Sequence, residues 1–184
     1  DFAAWCTYKY LNSSPGGVSG VFVHQKHGNN PDTPRLAGWW GHKESERFQM
    51  KKGFIPEPGA AGWQLSNAPV LAMAAHKASL DMFDEVGMDA LVAKGKLLNT
   101  FLEHVVMDAQ ASNDKLEFEI ITPAERGCQL SMLTNENGKA LFDYLTERDV
   151  IADWRQPNVI RLAPVPMYNS FMDVWEFGEL LKGF

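Results

Sequence analysis

The chain has 184 residues, which is enough for one globular domain or slightly more and for a buried core. Hydrophobic residues make up 45% of the chain and charged residues 22%, and this balance excludes the disordered, collagen-like and low-complexity classes. The formal charge of -6, with basic residues scattered along the chain, gives no support for nucleic acid or an anionic membrane as a partner. No apolar run approaches the ~18 residues that a membrane-spanning helix needs.

The cysteines and histidines form neither a disulfide pattern nor a metal pattern. Cys6 and Cys128 make no CxxC pair, and the five histidines do not have metal-ligand spacing. We therefore expect no metal site and a reducing, cytoplasmic compartment. The chain opens at Asp1 without a methionine and enters an apolar segment, residues 2–6, that is typical of a buried element, so we expect it to be the C-terminal piece of a longer protein.

The first third of the chain combines one predicted strand with a long irregular segment. Residues 18–24 are β-branched and aromatic and follow a Pro-Gly-Gly turn, which predicts a strand. Residues 28–62 contain many glycines and prolines without a sustained period, which predicts loops. Loops of this length usually cover a functional site.

The rest of the chain alternates between helical and strand periods. Helices are predicted over 69–85, 88–106, 137–148 and 170–182, and strands over 116–121, 127–133, 150–154 and 159–163. The apolar faces expected to point inward are Val70, Met73 and Leu80 in the first helix, Leu91, Leu98, Leu102 and Val105 in the second, and Phe171, Val174, Trp175 and Leu181 in the last. Ser170 and Asp173 approximate a capping box. This order predicts a small α+β domain with helices on one face of a mostly antiparallel sheet.

The segment before the Gly-rich turn contains a candidate nucleophile. Lys9 stands between Tyr8 and Tyr10, directly after the apolar segment. Desolvation and the neighbouring phenols would keep its amine nucleophilic, as Schiff-base chemistry requires, whereas the alternative is a lysine that reaches from a strand end into solvent. The turn at residues 16–20 lacks the Lys-Ser/Thr ending of a P-loop. A tight turn into a strand is therefore a better interpretation than a phosphate-binding loop.

Three further positions have both a structural and a functional interpretation. Trp39 lies in the irregular segment, where its indole either packs in a core or donates to a phosphate or carboxylate. Ser66 and Asn67 precede a helix and are typical of a cap. Arg161 alternates with Ile160 and Leu162, so it faces away from them, where it binds a carboxylate or forms a salt bridge at the rim of the sheet.

Two motifs together resemble the kynureninase family, a group of pyridoxal 5'-phosphate (PLP) enzymes. The first is Trp-Cys-Thr-Tyr-Lys-Tyr-Leu-Asn at 5–12, and the second is Ile-Arg-Leu-Ala-Pro-Val-Pro-Met-Tyr-Asn-Ser-Phe at 160–171. The segments 38–42, 65–69 and 125–130 fall in the family's order, so the resemblance covers essentially the whole chain. It implies the type I α/β PLP-dependent transferase fold, with residues 1–68 forming the end of the large PLP-binding domain and 69–184 the small α+β C-terminal domain.

The same resemblance implies an activity and residue roles. The family hydrolyses the Cβ–Cγ bond of L-kynurenine or 3-hydroxykynurenine in tryptophan catabolism and NAD biosynthesis, as a cytoplasmic homodimer. Lys9 would hold PLP and move the Cα proton, and Tyr8 would bind the cofactor phosphate. Trp39 and Asn67 would contact the cofactor, Ser66 and Asn67 the substrate ring, and Arg161 the substrate carboxylate.

Other interpretations stay open at this point. Another PLP enzyme of the same fold, such as a cysteine desulfurase or an aminotransferase, shares the lysine and the following Gly-rich turn, although a desulfurase usually has a histidine beside the lysine. A noncatalytic dimerisation fragment is the alternative from another class. Because the family's ring clamp and most phosphate contacts are absent here, the chain alone is expected to be inactive.

Overall fold

A computed structural model describes residues 1–184, and the chain forms two compact units, Asp1–Glu85 and Val86–Phe184. The division predicted from the resemblance, 1–68 and 69–184, concerns the domains of a longer protein and stays a prediction. None of the helices combines the length and the apolar character needed to cross a bilayer.

A two-stranded antiparallel ribbon opens the first unit. Strand β1 (Phe2–Trp5) pairs with β2 (Gly20–Val23), so the strand predicted over 18–24 is confirmed in its centre. All four residues of β1 are exposed, whereas the sequence predicted the interior of a buried element. The difference arises because the ribbon has only two strands, and two strands bury little side-chain surface on either face.

The irregular segment is confirmed, with only short helical turns in it. These are α1 (Gln25–Gly28), α2 (Glu44–Arg47) and a 3-10 helix (Gly59–Trp63). The segment folds back on itself at Gly38, where a Cβ atom would lie 2.3 Å from the Cα atom of Leu65. A side chain at this position would therefore push the two loop strands apart.

Helix α3 (Val70–Val86) closes the first unit, but it buries a different face from the predicted one. Its buried residues are His76, Ser79 and Phe83, whereas Val70, Met73 and Leu80 are exposed. The physical reason is a polar anchor, since the Ser79 hydroxyl donates to the Leu11 carbonyl at 2.8 Å and turns that face inward.

The second unit is an α+β domain, as predicted. A four-stranded antiparallel sheet has the order β3 (Phe118–Ile120), β4 (Leu130–Thr134), β6 (Val159–Leu162), β5 (Asp153–Arg155). The helices are α4 (Met88–Ser112), α5 (Gly138–Thr146) and α6 (Phe171–Lys182). The side chains of one sheet face share a single core with all three helices, which confirms the predicted layering; that core includes Leu98, Leu102, Leu130, Met132, Leu141, Leu145, Ile160 and Leu181.

The inward face of α6 differs in part from the prediction. Val174 and Leu181 are buried, but Phe171 and Trp175 are exposed, and Phe177 and Gly178 take the inward positions. A Cβ atom on Gly178 would lie 2.2 Å from Cγ1 of Val105 on α4. The helix therefore rotates to place its glycine at the closest approach to α4. The predicted capping box of Ser170 and Asp173 is confirmed.

Replacing Gly178 by alanine is expected to destabilise the protein by about 1–3 kcal/mol, because the added methyl group overpacks the contact with Val105. Urea unfolding followed by circular dichroism measures the change. Gly127→Ala is the matched control, since nothing lies within 4 Å of its Cβ position, and it is expected to change the unfolding free energy by less than about 0.5 kcal/mol. Equal effects of the two substitutions would contradict the close helix contact.

Candidate active site

The loop between β1 and β2 carries the candidate nucleophile, and its two ends are tied together. Thr7 and Ser13 are buried, their hydroxyl oxygens lie 2.7 Å apart, and the Ser13 amide donates to the Thr7 carbonyl at 3.1 Å. The Thr7 hydroxyl also donates to the carbonyl of Val18. The closed ends hold residues 8–12 as a protruding loop with Lys9 on it.

The turn that follows is a tight turn into β2, as the sequence predicts. The Gly17 amide donates to the Ser14 carbonyl at 3.0 Å, and Gly16 has a φ of 82°, which glycine adopts readily. A Cβ atom on Gly17 would lie 2.3 Å from the Ser13 hydroxyl oxygen, so the absence of a side chain at this position permits the closed loop.

Lys9 is exposed, and its environment differs from the one expected from the sequence. Its Nζ lies 3.6 Å from Cys6 Sγ and 4.8 Å from the centre of the Tyr8 ring. Interaction with the Tyr8 side chain, and then with Cys6, raises the pKa of Lys9 above its ordinary value. Desolvation therefore does not keep this amine neutral, because the loop projects from an uncovered ribbon. The effect of Tyr8 and Cys6, which favour the ammonium form, is larger than that of desolvation.

The structure brings the Trp39 segment and the Ser66–Asn67 segment together. Gly38 packs on the backbone of Leu65. The backbones of Trp39 and Ser66, which follow these two residues in the chain, are therefore close to each other. Trp39 is exposed and makes an edge-on contact with Phe48, with ring centres 5.4 Å apart. Ser66 and Asn67 are exposed in the turn before α3. All of these side chains are accessible to a ligand.

A cavity of 270 Å³ lies beside Trp39 within the first unit. Arg47 lines it, stacks 4.4 Å from the Trp40 ring and donates to the carbonyls of Trp40 and His42. His42 accepts from the Ile55 amide through Nδ1 at 3.2 Å. These contacts hold the aromatic loop in a fixed conformation without using the Trp39 indole face.

Arg161 lies on β6 in the second unit and faces away from the core, as predicted. Its neighbours Ile160 and Leu162 are buried, while Arg161 is half-buried on the opposite face. Its Nε donates to Oδ2 of Asp153 at 2.5 Å, and Nη2 contacts the same oxygen. The salt bridge that the sequence left open as an alternative is therefore present in this structure, with an acid that the sequence reasoning missed.

The segment after β6 is rigidly braced. The Asn169 side chain accepts from the Val165 amide at 2.8 Å and donates to Asp173 at 3.2 Å. Lys94 of α4 donates to the Pro166 carbonyl at 2.7 Å. Hydrogen bonds from Ser170 and Asn169 lower the pKa of Asp173 below its ordinary value, so the cap weakens as the pH falls through that lowered pKa.

The motif at residues 125–130 has a structural role. Arg126 donates to the Asn99 side chain at 2.5 Å and pairs with Glu103, and Asn99 donates to the Cys128 carbonyl at 2.8 Å. These bonds fasten the loop before β4 to helix α4. Burial raises the pKa of the Cys128 thiol, which keeps it protonated and poorly reactive.

Comparison with known sequences places this site in a family. Residues 91–181 match the sequence model described as the kynureninase C-terminal domain. The chain is 55% identical over 185 residues to the kynureninase of Flavobacterium johnsoniae and 55% identical over 185 residues to that of Christiangramia forsetii. Both alignments cover 99% of this chain and 43% of the relative.

The chain matches the C-terminal part of kynureninases. A kynureninase of Xanthomonas euvesicatoria is 50% identical over 188 residues, which cover 99% of this chain and 43% of the relative. The chain spans less than half the length of these curated kynureninases. The kynureninase resemblance predicted from the motifs at 5–12 and 160–171 is thereby confirmed.

Solved structures show the fold of the chain. The complex of the cystine C-S lyase C-DES with cysteine persulfide has a TM-score of 0.76 at 16% identity, over 100% of this chain and 46% of that one. The apo cysteine desulfurase of Thermococcus onnurineus NA1 has a TM-score of 0.68 at 12% identity, over 100% of this chain and 46% of that one. The predicted type I PLP-dependent transferase fold is confirmed.

Proposed function

We propose that the protein carrying this chain is a kynureninase, which hydrolyses the Cβ–Cγ bond of L-kynurenine or 3-hydroxykynurenine to L-alanine and anthranilate or 3-hydroxyanthranilate. The observation that carries the proposal is identity of 50–55% with curated kynureninases over 99% of the chain. A desulfurase or aminotransferase is supported only by the fold, at identities of 12–16%. The reaction belongs to tryptophan catabolism.

The residues of the lysine loop fit a PLP cofactor. The amine of Lys9 is exposed and forms no ion pair with a carboxylate, so a carbonyl group can reach it. When bound, PLP supplies an electron sink for the negative charge that develops at the substrate Cα. In the proposed site Lys9 would hold the cofactor, would be freed when the substrate amine takes its place, and would then accept the proton from Cα; the adjacent Tyr8 phenol would donate to the phosphate.

Lys9 must lose its own proton before it can accept one. Since Tyr8 and Cys6 raise its pKa in this chain, we infer that these contacts change when the cofactor is held. A Tyr8 hydroxyl that donates to the cofactor phosphate would no longer stabilise the ammonium form of Lys9. The loop ends at Thr7 and Ser13 keep the lysine backbone in place while this exchange occurs.

The remaining proposed site residues contact either the cofactor or the substrate. Trp39 and Asn67 are proposed to contact the cofactor, Ser66 and Asn67 the substrate ring, and Arg161 the substrate α-carboxylate. Arg161 suits this role because its planar fork matches a carboxylate with two parallel hydrogen bonds. Its position on a strand gives the fork a rigid base.

The proposed enzyme is a cytoplasmic homodimer. The resemblance to kynureninases implies this state, and the first unit leaves several large apolar side chains exposed: Phe2, Trp5, Phe22, Val70 and Leu71. Such a surface is typical of an interface or of contact with another part of the same protein. Sedimentation of the full-length protein measures the oligomeric state.

The experiment that tests the function compares two proteins. The full-length protein incubated with PLP and kynurenine is expected to release anthranilate, which is detected by fluorescence, whereas the 184-residue chain alone is expected to lose PLP on dialysis and to release none. The physical reason is that Tyr8 and Lys9 do not supply a clamp for the pyridine ring. A full-length protein that desulfurates cysteine but spares kynurenine would overturn the proposal.

Substrate choice is expected to depend on Asn67. We predict that 3-hydroxykynurenine has a higher kcat/KM than kynurenine and that Asn67→Ala lowers this preference roughly 3- to 10-fold, because the amide bonds the ring hydroxyl. Steady-state kinetics with both substrates measure the ratio. Asn137→Ala, in the second unit, is the control and keeps the wild-type ratio. Equal kcat/KM values of the wild-type protein for the two substrates would contradict the role of Asn67.

A further inference from the structure

Asp153 and Arg161 are directly opposed on neighbouring antiparallel strands, β5 and β6. Their contact uses one edge of the guanidinium group, since both Nε and Nη2 of Arg161 meet the single oxygen Oδ2 of Asp153. No protein atom is hydrogen-bonded to Nη1 of Arg161. The edge formed by Nη1 and Nη2 is therefore free, and the Arg161 side chain is 32% exposed.

An arginine fork has two edges that bind a carboxylate with paired hydrogen bonds, one through Nε and a terminal nitrogen and one through both terminal nitrogens. Asp153 occupies the first edge and thereby fixes the rotation of the guanidinium plane. The second edge then points in a defined direction. An arginine without this partner would rotate freely, and it would lose that rotational freedom each time it bound a carboxylate.

The charges around Asp153 keep the site attractive to an anion. Arg155 donates to the same Oδ2 from its own Nε at 2.9 Å, so Asp153 is shared between two arginines. The three side chains carry one net positive charge. On the other side of Arg161, its register partner on β4 is Ser131, a neutral hydroxyl residue. The cluster therefore matches a ligand with a single carboxylate.

We propose that Asp153 is a positioning residue that presents the free edge of Arg161 to the α-carboxylate of the substrate, and that Arg155 neutralises Asp153 so that it does not repel that carboxylate. This inference rests on the proposed function. It assigns to the short strand β5 a task in substrate binding, although neither of its charged residues contacts the substrate.

The positioning role and a simple charge effect predict opposite results for Asp153→Asn. Removal of the negative charge strengthens the Coulomb attraction between the cluster and a carboxylate, so a charge effect alone lowers KM. Loss of the fixed edge raises KM roughly 3- to 10-fold, because the guanidinium group must then be ordered on each binding event. We expect KM to rise and kcat to stay within about twofold.

The experiment uses the full-length protein with PLP. For wild type and Asp153→Asn it measures KM and kcat with kynurenine, and the inhibition constant of the amine that lacks only the α-carboxylate of kynurenine. The amine is expected to bind both proteins equally. Asp143→Asn is the matched control, since Asp143 forms an exposed ion pair with Lys139 on α5, and it leaves all constants unchanged.

A second variant keeps the inference testable if Asp153→Asn does not fold. Asp153→Glu keeps the net charge of the cluster but moves the carboxylate by one methylene group, so it disturbs the fixed edge of Arg161 without a change in charge. KM for kynurenine is therefore expected to rise while the binding of the amine does not change. An unchanged or lowered KM in Asp153→Asn, or equal losses for kynurenine and the amine, would overturn the positioning role. A wild-type protein that does not cleave kynurenine would instead overturn the proposed function.

Discussion

Replacing Lys9 by alanine in the full-length protein is expected to abolish the covalent retention of PLP. It is also expected to lower the rate of anthranilate release by about 10²- to 10⁴-fold, the range for a lost acid–base group. No nearby side chain can substitute for the amine, since the neighbours within the loop are Tyr8 and Cys6. Visible absorbance of the bound cofactor and the kinetics of anthranilate release measure the two losses.

The control for this variant is Lys77→Ala. Lys77 is exposed on α3 and pairs with Asp81, so its removal takes away a charge but no proposed catalytic group. It is expected to retain full cofactor absorbance and rate. If the Lys9→Ala protein kept PLP that borohydride fixes to the polypeptide, another lysine would be the attachment site.

Arg161→Ala is expected to lower kcat/KM for kynurenine by an amount equal to about 2–5 kcal/mol of transition-state binding, with PLP retained. The loss is large because the variant removes both donors of the free edge and leaves Asp153 with Arg155 alone. Arg161→Lys is expected to recover only part of the loss, because a single ammonium group cannot form the paired hydrogen bonds of a fork.

Steady-state kinetics and cofactor absorbance distinguish this effect from unfolding. Arg148→Ala serves as the control in the same unit, since Arg148 stacks on the Tyr144 ring and has no place in the proposed site. A kcat/KM for Arg161→Ala near the wild-type value would show that the carboxylate binds elsewhere.

The fold of the second unit was predictable where apolar spacing alone decides packing. Leu91, Leu98, Leu102 and Val105 recur on one face of α4 and are buried there. The spacing failed on α6 because Gly178, which carries no hydropathy signal, sets the closest approach of the two helices. It failed on α3 because a serine, rather than an apolar residue, provides the anchor.

The candidate site was predictable where alternation along a single strand decides which face of the sheet a side chain lies on. Alternation along β6 places Arg161 opposite Ile160 and Leu162, and the structure agrees. Its partner Asp153 was not predictable, because cross-strand pairing depends on the register between β5 and β6. The surroundings of Lys9 were not predictable either, since its loop is held by Ser79, which is 68 positions away from the Leu11 carbonyl.

The bonds that close the lysine loop also define how it opens. Separation of Thr7 from Ser13 breaks a few hydrogen bonds but unpairs no residue of β1 or β2. Such a local opening requires less free energy than global unfolding, so the Ser13 amide exchanges its hydrogen with solvent at a rate set by the loop alone. Hydrogen exchange at this one amide therefore reports how firmly the backbone under Lys9 is held, before and after a ligand reaches the amine.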